Sequence, residues 1–327
     1  MKYLVISNIS EGYFEGNKNV AMHLENYLLQ KGNVEHFNLK RDTFNLKFFM
    51  RLKHKNPNQI HIIFRLSKKL ILYFIILRIF CRNVKIIYWS LQPPLIDYVP
   101  KYRYRFFPNR VLVLSEETKI KFKNSFWPTS LAKVGINKKK FNSKYITVSE
   151  INTIRDKYNI PSDKKWVLHV GPIKQSRNVL ALKGIPNNNT HLTIISRPDK
   201  AQSNSIRNTL QESNIQIIDY YIDDIEKIYS SIDLYVFPTF STSGCIETPL
   251  SVLEALSCGS TVVSRNFGSL KNFNHKNLIK AENDKELVDL IHYTFKKRQL
   301  KKRVKNFSQI LGWEEVFKYN EQLYKNL

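Results

Sequence analysis

The stretch of the sequence that most suggests chemistry is DLYVFPTFSTSGCIETPLSVLEALSCGSTVV, residues 233–263. In it an apolar, strand-like run leads into a loop of small polar residues. Thr248 is a good N-cap for a helix over residues 249–258, and Gly259 suits the position just after that helix. Glu254 lies inside this apolar helix, where a carboxylate lowers stability unless a partner or a ligand meets it.

A strand, a loop and a helix in this order put the loop at the carboxyl end of a parallel strand, where open α/β sheets bind ligands. The N–H groups of Leu250 and Ser251, at the positive end of the helix dipole, would bind a phosphate. Glu254 follows one turn later, where its carboxylate would accept hydrogen bonds from ribose hydroxyls. The alternative for the two acids is structural: a solvated or paired helix residue for Glu254, and a complement to the helix dipole for Glu247.

A second candidate is the basic turn in HVGPIKQSRNVLAL, residues 169–182. A strand is predicted to end at Val170 and a helix to begin near Ser176, so that Lys174 and Arg177 lie in the turn between them. Two cations beside this helix start, together with the helix start described above, would neutralise a diphosphate. Since Lys and Arg are abundant in the chain, surface charge is the alternative for each of them.

A third candidate is the loop after the first strand, in ISNISEGYFEGNKNVAMHL, residues 6–24. Gly12 and Gly16 would let the backbone approach a ligand closely. The glycines do not form G-x-G-x-x-G, so the loop does not support a dinucleotide redox cofactor. The helix that follows is expected over residues 18–31, with Gly32 just after its end.

Strand-like and helical runs alternate along the 327 residues, which are enough for two domains. We therefore predict an α/β protein of two Rossmann-like domains, with parallel sheets facing across a cleft. A polar stretch at 136–150 indicates domains over residues 1–145 and 146–310, and a terminal helix over 311–327 is expected to pack back toward the first domain. The predicted strands are YLVIS (3–7), NVEHF (33–37), QIHIIF (59–64), VKIIYW (84–89), RVLVLS (110–115), a closing run AKVG (132–135), WVLHV (166–170), HLTIIS (191–196), IQII (215–218), DLYVF (233–237) and STVVS (260–264).

The chain carries 52 Lys and Arg against 27 Asp and Glu, a formal net charge of +25, which indicates an anionic partner. No acid occurs from Thr43 to Ile96, where basic residues alternate with aromatic and aliphatic ones. This span favours a first domain that docks on anionic lipid. The alternatives are a Lys-rich composition without function and, for a predicted helix over 66–82, a buried helix with solvated basic ends. No motif that reads DNA or RNA occurs, so we do not expect a nucleic-acid partner.

The most apolar stretch, LILYFIILRIFC at 70–81, is too short to span a bilayer and is interrupted by Arg78. The first strand begins at once, without the longer apolar core of a signal peptide. Cys81, Cys245 and Cys258 show no C-x-x-C spacing, which favours a reducing compartment over a disulfide framework or a zinc site. We expect a cytoplasmic protein, peripheral on the inner face of the membrane.

Together these stretches resemble the retaining GT-B glycosyltransferases of family 4, also called group 1. The segment IYSSIDLYVFPTFSTSGCIETPLSVLEALSCGSTVVS resembles the donor-site signature of that family, and VLHVGPIKQSRNV resembles its basic phosphate-binding loop. The resemblance covers nearly the whole chain in the right order. Its less specific parts are the loop at Gly16, RVLVLSEETK (110–119), VGINKKKF (134–141) and LGWEEVFKYNEQLY (311–324).

The resemblance implies roles for single residues. Glu254 matches the second glutamate of the family's E-x7-E motif, which holds the donor ribose. Arg177, with Lys174 as its companion, matches the basic residue near the donor phosphates, and Leu250 and Ser251 match positions whose N–H groups meet the diphosphate. The predicted donor-binding set is Gly16, Thr248, Leu250, Ser251 and Glu254, and the predicted catalytic set is Lys174, Arg177 and Glu247.

The sequence departs from the family pattern at three places. The first glutamate of E-x7-E would fall at Ile246, whereas the acid here is Glu247, one position later. Pro172 stands where an Arg often follows the glycine. The histidine that lies near the donor sugar in the family has no clear match in YWSLQPP, residues 88–94.

The resemblance implies transfer of a sugar from a nucleotide diphosphate sugar to an acceptor hydroxyl, with retention of configuration. A lipid-linked or cell-surface glycan is the expected acceptor. The nucleotide sugar is a co-substrate, no cofactor is expected, and the lack of a D-x-D sequence argues against an essential metal. One alternative is an inverting GT-B transferase with Glu11, Glu15 or His23 as general base. Another is a non-catalytic scaffold of the same fold.

Overall fold

The computed structural model describes residues 1–8, 16–38, 46–103, 105–142, 147–196, 203–296 and 310–326. The chain divides into two compact units. Unit 1 comprises Met1–Gly135, Cys245–Thr248 and Trp313–Leu327, and unit 2 comprises Ile136–Gly244 and Pro249–Gly312. The predicted boundary at 145/146 falls within residues 143–146, outside the described residues, and stays a prediction.

The regular elements alternate between strands and helices along the described chain. In chain order they are β1 (Lys2–Ser7), α1 (Gly16–Leu29), β2 (Asn33–Asn38), α2 (Leu46–Lys55), β3 (Gln59–Ile63), α3 (Lys68–Phe80), β4 (Lys85–Ser90), β5 (Arg110–Val113), α4 (Glu116–Lys123), β6 (Thr129–Leu131), α5 (Val148–Lys157), β7 (Lys165–Val170), β8 (Thr190–Ile195), α6 (Asn204–Glu212), β9 (Gln216–Ile218), α7 (Ile225–Ser231), β10 (Leu234–Phe237), α8 (Leu250–Ser257), β11 (Val262–Arg265), β12 (Leu278–Ala281), α9 (Asp284–Lys296) and α10 (Trp313–Gln322).

Each unit contains one parallel sheet. The order is β2-β1-β3-β4-β5-β6 in unit 1 and β12-β11-β10-β7-β8-β9 in unit 2. Central strands such as β4 and β10 are apolar runs buried on both faces, as expected where helices cover both sides of a parallel sheet. The predicted fold class, two Rossmann-like α/β domains with parallel sheets, is confirmed.

The strand orders locate where each sheet would bind a ligand. In unit 2 the chain runs outward from β7 through β8 to β9, and then returns to place β10 on the other side of β7. In unit 1 the corresponding reversal lies between β1 and β3. Doubly wound sheets bind ligands outside the carboxyl ends of the strands at such reversals.

Several details differ from the sequence predictions. α2 and β12 were not predicted, and the strand that closes the first sheet is β6, just before the predicted run at 132–135. Gly32 follows α1, and its φ is not positive, so it is not the left-handed glycine that often ends a helix. An added Cβ there would overlap the carbonyl oxygen of Met1, so close packing is what requires this glycine. Gly12 lies outside the described residues.

The chain ends contribute to one core. The predicted terminal helix is α10, which belongs to unit 1. Trp313 on α10 stacks on His23 at 4.5 Å between ring centroids, and the Tyr27 hydroxyl donates to the Glu321 carboxylate at 2.8 Å. None of the helices in the described ranges has the length and apolar character needed to cross a membrane.

Candidate functional site

The residues predicted to bind phosphate in unit 2 follow the two strands that flank its reversal. The basic turn begins after β7, and the loop of small polar residues begins after β10. Because β7 and β10 are paired in parallel, their carboxyl ends lie side by side. The sheet therefore brings together two segments that are about seventy residues apart in the sequence.

The basic turn is a short 3₁₀ turn, Gln175–Arg177, with Lys174 extended before it. The α-helix predicted to begin near Ser176 does not form. Asn178 interrupts it with a left-handed backbone, φ 55°, and a second 3₁₀ segment, Val179–Gly184, follows. An asparagine tolerates this conformation better than most residues, and the Asn178 side chain also makes hydrogen bonds.

The turn is fixed to the end of β10 by hydrogen bonds. The Asn178 amide donates to the carbonyl of Pro238 at 3.1 Å and to the Asp284 carboxylate at 2.9 Å. The hydroxyl of Thr239 donates to the carbonyl of Arg177 at 3.3 Å. These bonds hold the backbone of Arg177 at the reversal between β7 and β10.

His169 is a neighbour of Arg177 that the sequence analysis did not select. It is fully buried, and its Nδ1 donates to the carbonyl of Val236 at 3.0 Å, which leaves Nε2 as a buried acceptor without a partner. A Cβ on Gly171 would lie 3.0 Å from this Nε2 and 3.6 Å from Nη1 of Arg177. Burial, and then the charge of Arg177, lowers the pKa of His169 to about 4, so the imidazole is neutral at neutral pH.

The loop after β10 passes directly against the basic turn at Gly244. A Cβ on Gly244 would lie 2.5 Å from the carbonyl oxygen of Ser176 and 2.9 Å from Cγ2 of Thr239. Glycine is therefore required here by the close approach of two backbones. The need for glycine at position 244 could not be predicted, because a single glycine among serines is equally typical of a flexible loop.

α8 begins one residue later than predicted. Its N-cap is Pro249, which makes no side-chain capping bond, so the predicted N-cap Thr248 is wrong. Pro249 has ψ 116°, an extended value, and helical dihedrals start only at Leu250. The helix ends at Ser257, one residue before the predicted end, and Gly259 follows it with φ 84°, as expected for a glycine after a helix.

Tyr235 on β10 connects the start of α8 with the two predicted charged ligands. Its hydroxyl donates to the hydroxyl of Ser251 at 2.8 Å. Burial raises the pKa of Tyr235, while the charge of Arg177 lowers it and that of Glu254 raises it. The charges of Arg177 and Glu254 thus act on the pKa of this buried phenol in opposite directions.

Glu254 is half-buried on α8. Its carboxylate accepts from the hydroxyl of Tyr229 on α7 at 3.4 Å, a long contact. The pKa of Tyr229 is well above its ordinary value, first because it is buried and then because of Glu254. Unit 2 thus brings Arg177, Ser251 and Glu254 together around the carboxyl ends of β7 and β10, and Lys174 lies at the start of the same turn.

Glu247 lies in unit 1, in the segment Cys245–Thr248. It is fully buried, and Oε1 accepts from the hydroxyls of Ser115 at 2.6 Å and Thr118 at 2.8 Å. Its N–H donates to the carbonyl of Leu91 at 2.9 Å, while Oε2 has no partner. Burial raises the pKa of Glu247, and the hydroxyls of Ser115 and Thr118 act in the opposite direction. The carboxylate of Glu247 therefore already binds two hydroxyls at the N-terminus of α4.

Gly16 and Ile246 are also neighbours in unit 1. A Cβ on Gly16 would lie 2.9 Å from Cδ1 of Ile246, which is itself buried. Gly16 was predicted to let the backbone approach a ligand, and in the structure it lets α1 approach Ile246. Gln92 supports the same segment by donating to the carbonyl of Cys245 at 2.9 Å.

Of the predicted bases of an inverting mechanism, His23 lies in the described residues. His23 stacks on Trp313, and burial lowers its pKa to about 4. Glu11 and Glu15 lie outside the described residues. No cluster of three His, Cys, Asp or Glu side chains suited to a metal occurs within the described ranges, and the expectation of no essential metal stays a prediction.

Comparison with known proteins agrees with this arrangement. Residues 166–296, which contain the basic turn, α8 and Glu254, match the family model of the group 1 glycosyl transferases. The matched region consists mostly of unit 2. The resemblance to these enzymes inferred from the sequence is confirmed, and the protein is a glycosyltransferase. No curated protein matches the sequence.

Solved structures show that the whole chain has the GT-B fold. Anabaena HepE in complex with UDP is 14% identical with a TM-score of 0.75, and the match covers 100% of both chains. A glycosyltransferase from Rickettsia africae is 15% identical with a TM-score of 0.72, again over 100% of both chains. WaaG, a glycosyltransferase involved in lipopolysaccharide biosynthesis, is 13% identical with a TM-score of 0.69, over 98% of this chain and 99% of its own.

Proposed function

We propose that this glycosyltransferase moves a sugar from a nucleotide diphosphate sugar to an acceptor hydroxyl with retention of configuration. The observation that carries the proposal is the meeting of a cation, a helix N-terminus and a carboxylate at the carboxyl ends of β7 and β10. Arg177 and the N-terminus of α8 suit a diphosphate, and Glu254 suits a ribose.

The chemistry that these residues would supply is stabilisation of the leaving diphosphate. As the glycosidic bond breaks, negative charge develops on the diphosphate, and Arg177, Lys174 and the N–H groups of Leu250 and Ser251 would meet it. Each good contact of this kind is worth about 3 kcal/mol of barrier. Because His169 is neutral, the positive charges beside the diphosphate at the end of β7 would be those of Arg177 and Lys174.

Two variants test the donor site. Arg177→Ala and Glu254→Ala should each weaken nucleotide-sugar binding at least about tenfold in calorimetry, because each removes a charge-assisted contact. Lys183→Ala and Glu212→Ala remove exposed charges from the same unit and serve as controls. If both site variants bind and turn over the donor like the parent, the site assignment is wrong.

A uridine nucleotide is the first donor to test, because HepE has been solved with UDP and with UDP-glucose. A thermal-shift screen of UDP-, GDP- and ADP-sugars would identify the donor class. A ligand present at one hundred times its Kd stabilises the folded protein by about 2.7 kcal/mol, which is easily measured as a rise in Tm. The same screen with EDTA tests the proposal that no metal is essential.

The retaining course is proposed over the inverting one because the one described candidate base, His23, is stacked on Trp313. The anomeric configuration of the product, read by NMR, decides between them. An inverted product would overturn retention without affecting the donor site.

We propose a lipid-linked or cell-surface glycan as acceptor, and a cytoplasmic location at the inner face of a membrane. The support is the excess of 52 Lys and Arg over 27 Asp and Glu, which suits an anionic surface. The three cysteines all lie in described residues and form no disulfide, in keeping with a reducing compartment. Cell fractionation with and without a high-salt wash tests peripheral attachment.

A further inference from the structure

The outer face of α3 in unit 1 is apolar although it is exposed. Leu70, Phe74 and Leu77 point into the core, as expected for a helix on a sheet. On the opposite side Leu72 and Ile79 are 54% and 59% exposed. They are seven residues apart and therefore lie on the same face. A helix that is apolar on all sides is normally buried or in contact with a membrane.

The position of Arg78 makes this face more unusual. Arg78 is the one charge within the apolar run of α3, and it is buried. Its guanidinium donates to the carbonyls of Phe107 at 3.0 Å and Val84 at 2.8 Å, and to Oδ1 of Asn109 at 2.6 Å. After the exposed Lys68 and Lys69 of its first turn, α3 thus buries its one remaining charge, while Leu72 and Ile79 stay exposed.

The charges around this face are almost all positive. From Thr43 to Ser115 the sequence contains fourteen Lys and Arg and a single acid, Asp97. A surface cavity of 530 Å³ adjoins the outer face of α3 at the C-terminal ends of α2 and α3, and Ile79, Lys53 and Arg82 are among its lining residues. Apolar side chains bordered by Lys and Arg suit the boundary between acyl chains and anionic headgroups.

We propose that the outer face of α3, with the adjoining cavity, docks on an anionic lipid bilayer, Leu72 and Ile79 entering the acyl boundary and Lys53 and Arg82 meeting headgroup phosphates. Charge argues for this occupant over a second copy of the chain, because a second copy would bring the same positive charges to the contact. The inference rests on the proposed function and deepens it, since it gives a lipid-linked acceptor the surface on which it is presented.

Vesicle binding tests the proposal. The full-length protein should sediment with vesicles that contain phosphatidylglycerol, and much less with pure phosphatidylcholine. Leu72→Gln/Ile79→Gln should weaken binding to the anionic vesicles at least about tenfold, because it removes the apolar contact. Lys53→Gln/Arg82→Gln should weaken it by a similar factor and reduce its salt dependence.

The matched control is Leu29→Gln/Leu180→Gln, which changes two exposed leucines outside the basic span and should bind like the parent. Nucleotide-sugar binding by each variant is measured separately, so that loss of lipid binding with intact donor binding isolates this surface. Unchanged vesicle binding by Leu72→Gln/Ile79→Gln overturns the proposal. So does a parent that ignores vesicles, whether it self-associates through this face or captures an acidic protein there.

Discussion

At the scale of single residues, His169 and Glu247 are two buried ionisable side chains with different surroundings. His169 is kept neutral beside Arg177, so that the positive charge at the end of β7 belongs to the guanidinium. Glu247 is enclosed in unit 1, where two hydroxyls satisfy one of its oxygens. Its role in the structure is to hold the segment Cys245–Thr248 against the N-terminus of α4.

The buried carboxyl group of Glu247 should affect how the free energy of unfolding changes with pH. Its pKa in the folded protein is above the ordinary value of 4.5. As pH rises from about that value to the raised one, the unfolded chain loses this proton first, so the contribution of Glu247 to the free energy of unfolding falls and then levels off. Glu247→Gln removes the fall, so the variant should gain stability relative to the parent as pH rises. Urea unfolding between pH 4.5 and 8 measures this.

The control for that experiment is Glu212→Gln on α6, which changes an exposed acid. It should follow the parent at every pH. A constant difference between Glu247→Gln and the parent across the range would contradict the assignment.

The positions of Arg177 and Glu254 could be predicted because they depend on the local order of strand, loop and helix. Arg177 follows β7 in the predicted turn and Glu254 lies on the predicted helix after β10; their roles toward a donor stay predictions. The environment of Glu247 was not predictable, because its partner Ser115 is 132 residues away in the sequence. His169 was missed for a similar reason, since a histidine in an apolar strand gives no sign of which cation will lie beside it.

At the scale of elements, the site depends on a close contact between the basic turn and the loop after β10. Gly244→Ala would place a Cβ 2.5 Å from the backbone of Ser176, and neither backbone can yield without disturbing the turn. We expect a loss of about 1–3 kcal/mol of stability and weaker donor binding. Differential scanning calorimetry with and without nucleotide sugar measures both effects.

Gly184→Ala is the matched control for Gly244→Ala. Its Cβ would meet only Cγ2 of Val288, the end of a side chain, at 2.9 Å. A side chain can rotate away, so this variant should bind donor like the parent. Equal effects of the two substitutions would show that the loop contact has no special importance.

Arg78 provides a second test at this scale. Arg78→Met should lower the free energy of unfolding by about 3 kcal/mol, because it leaves buried carbonyls at Phe107 and Val84 without donors. Arg82→Met, an exposed residue just beyond the end of α3, should change it by less than about 0.5 kcal/mol. Similar losses in chemical denaturation would contradict the inward role of Arg78.

Strands were easier to predict than helices in this chain. Buried parallel strands are continuous apolar runs, and β1, β4, β7 and β10 stand out for that reason. α2 was not predicted, because basic residues interrupt its apolar pattern, although Phe48, Phe49 and Leu52 are buried. The sequence predicts an α-helix near Ser176, and the structure has a 3₁₀ turn there, because Asn178 interrupts the helix and is held by tertiary hydrogen bonds.

At the scale of the whole molecule, each unit has its own core but only unit 1 uses both ends of the chain. Asn320 on α10 is buried, accepts from the N–H of Lys133 at 2.9 Å and donates to its carbonyl at 2.8 Å. Asn320→Ala should therefore destabilise unit 1 by about 2 kcal/mol. Hydrogen exchange should quicken in the strands of unit 1 and stay unchanged in those of unit 2.

Lys318→Ala is the control on the same helix, since it breaks only an exposed pair with Glu314. It should have an effect below about 0.5 kcal/mol. Faster exchange in both units of Asn320→Ala would show that the two cores unfold together.

The place of α10 also has a consequence for biosynthesis. Everything up to Gly135 leaves the ribosome long before Trp313, yet Trp313 and Phe317 pack on His23 and Trp89 of that early stretch. Unit 1, most of which is synthesised before unit 2, can therefore complete its folding only after α10 has been synthesised. This differs from the usual order, in which domains fold as they emerge from the ribosome. Throughout that interval Trp89 lacks the Phe317 ring that packs against it in the finished fold.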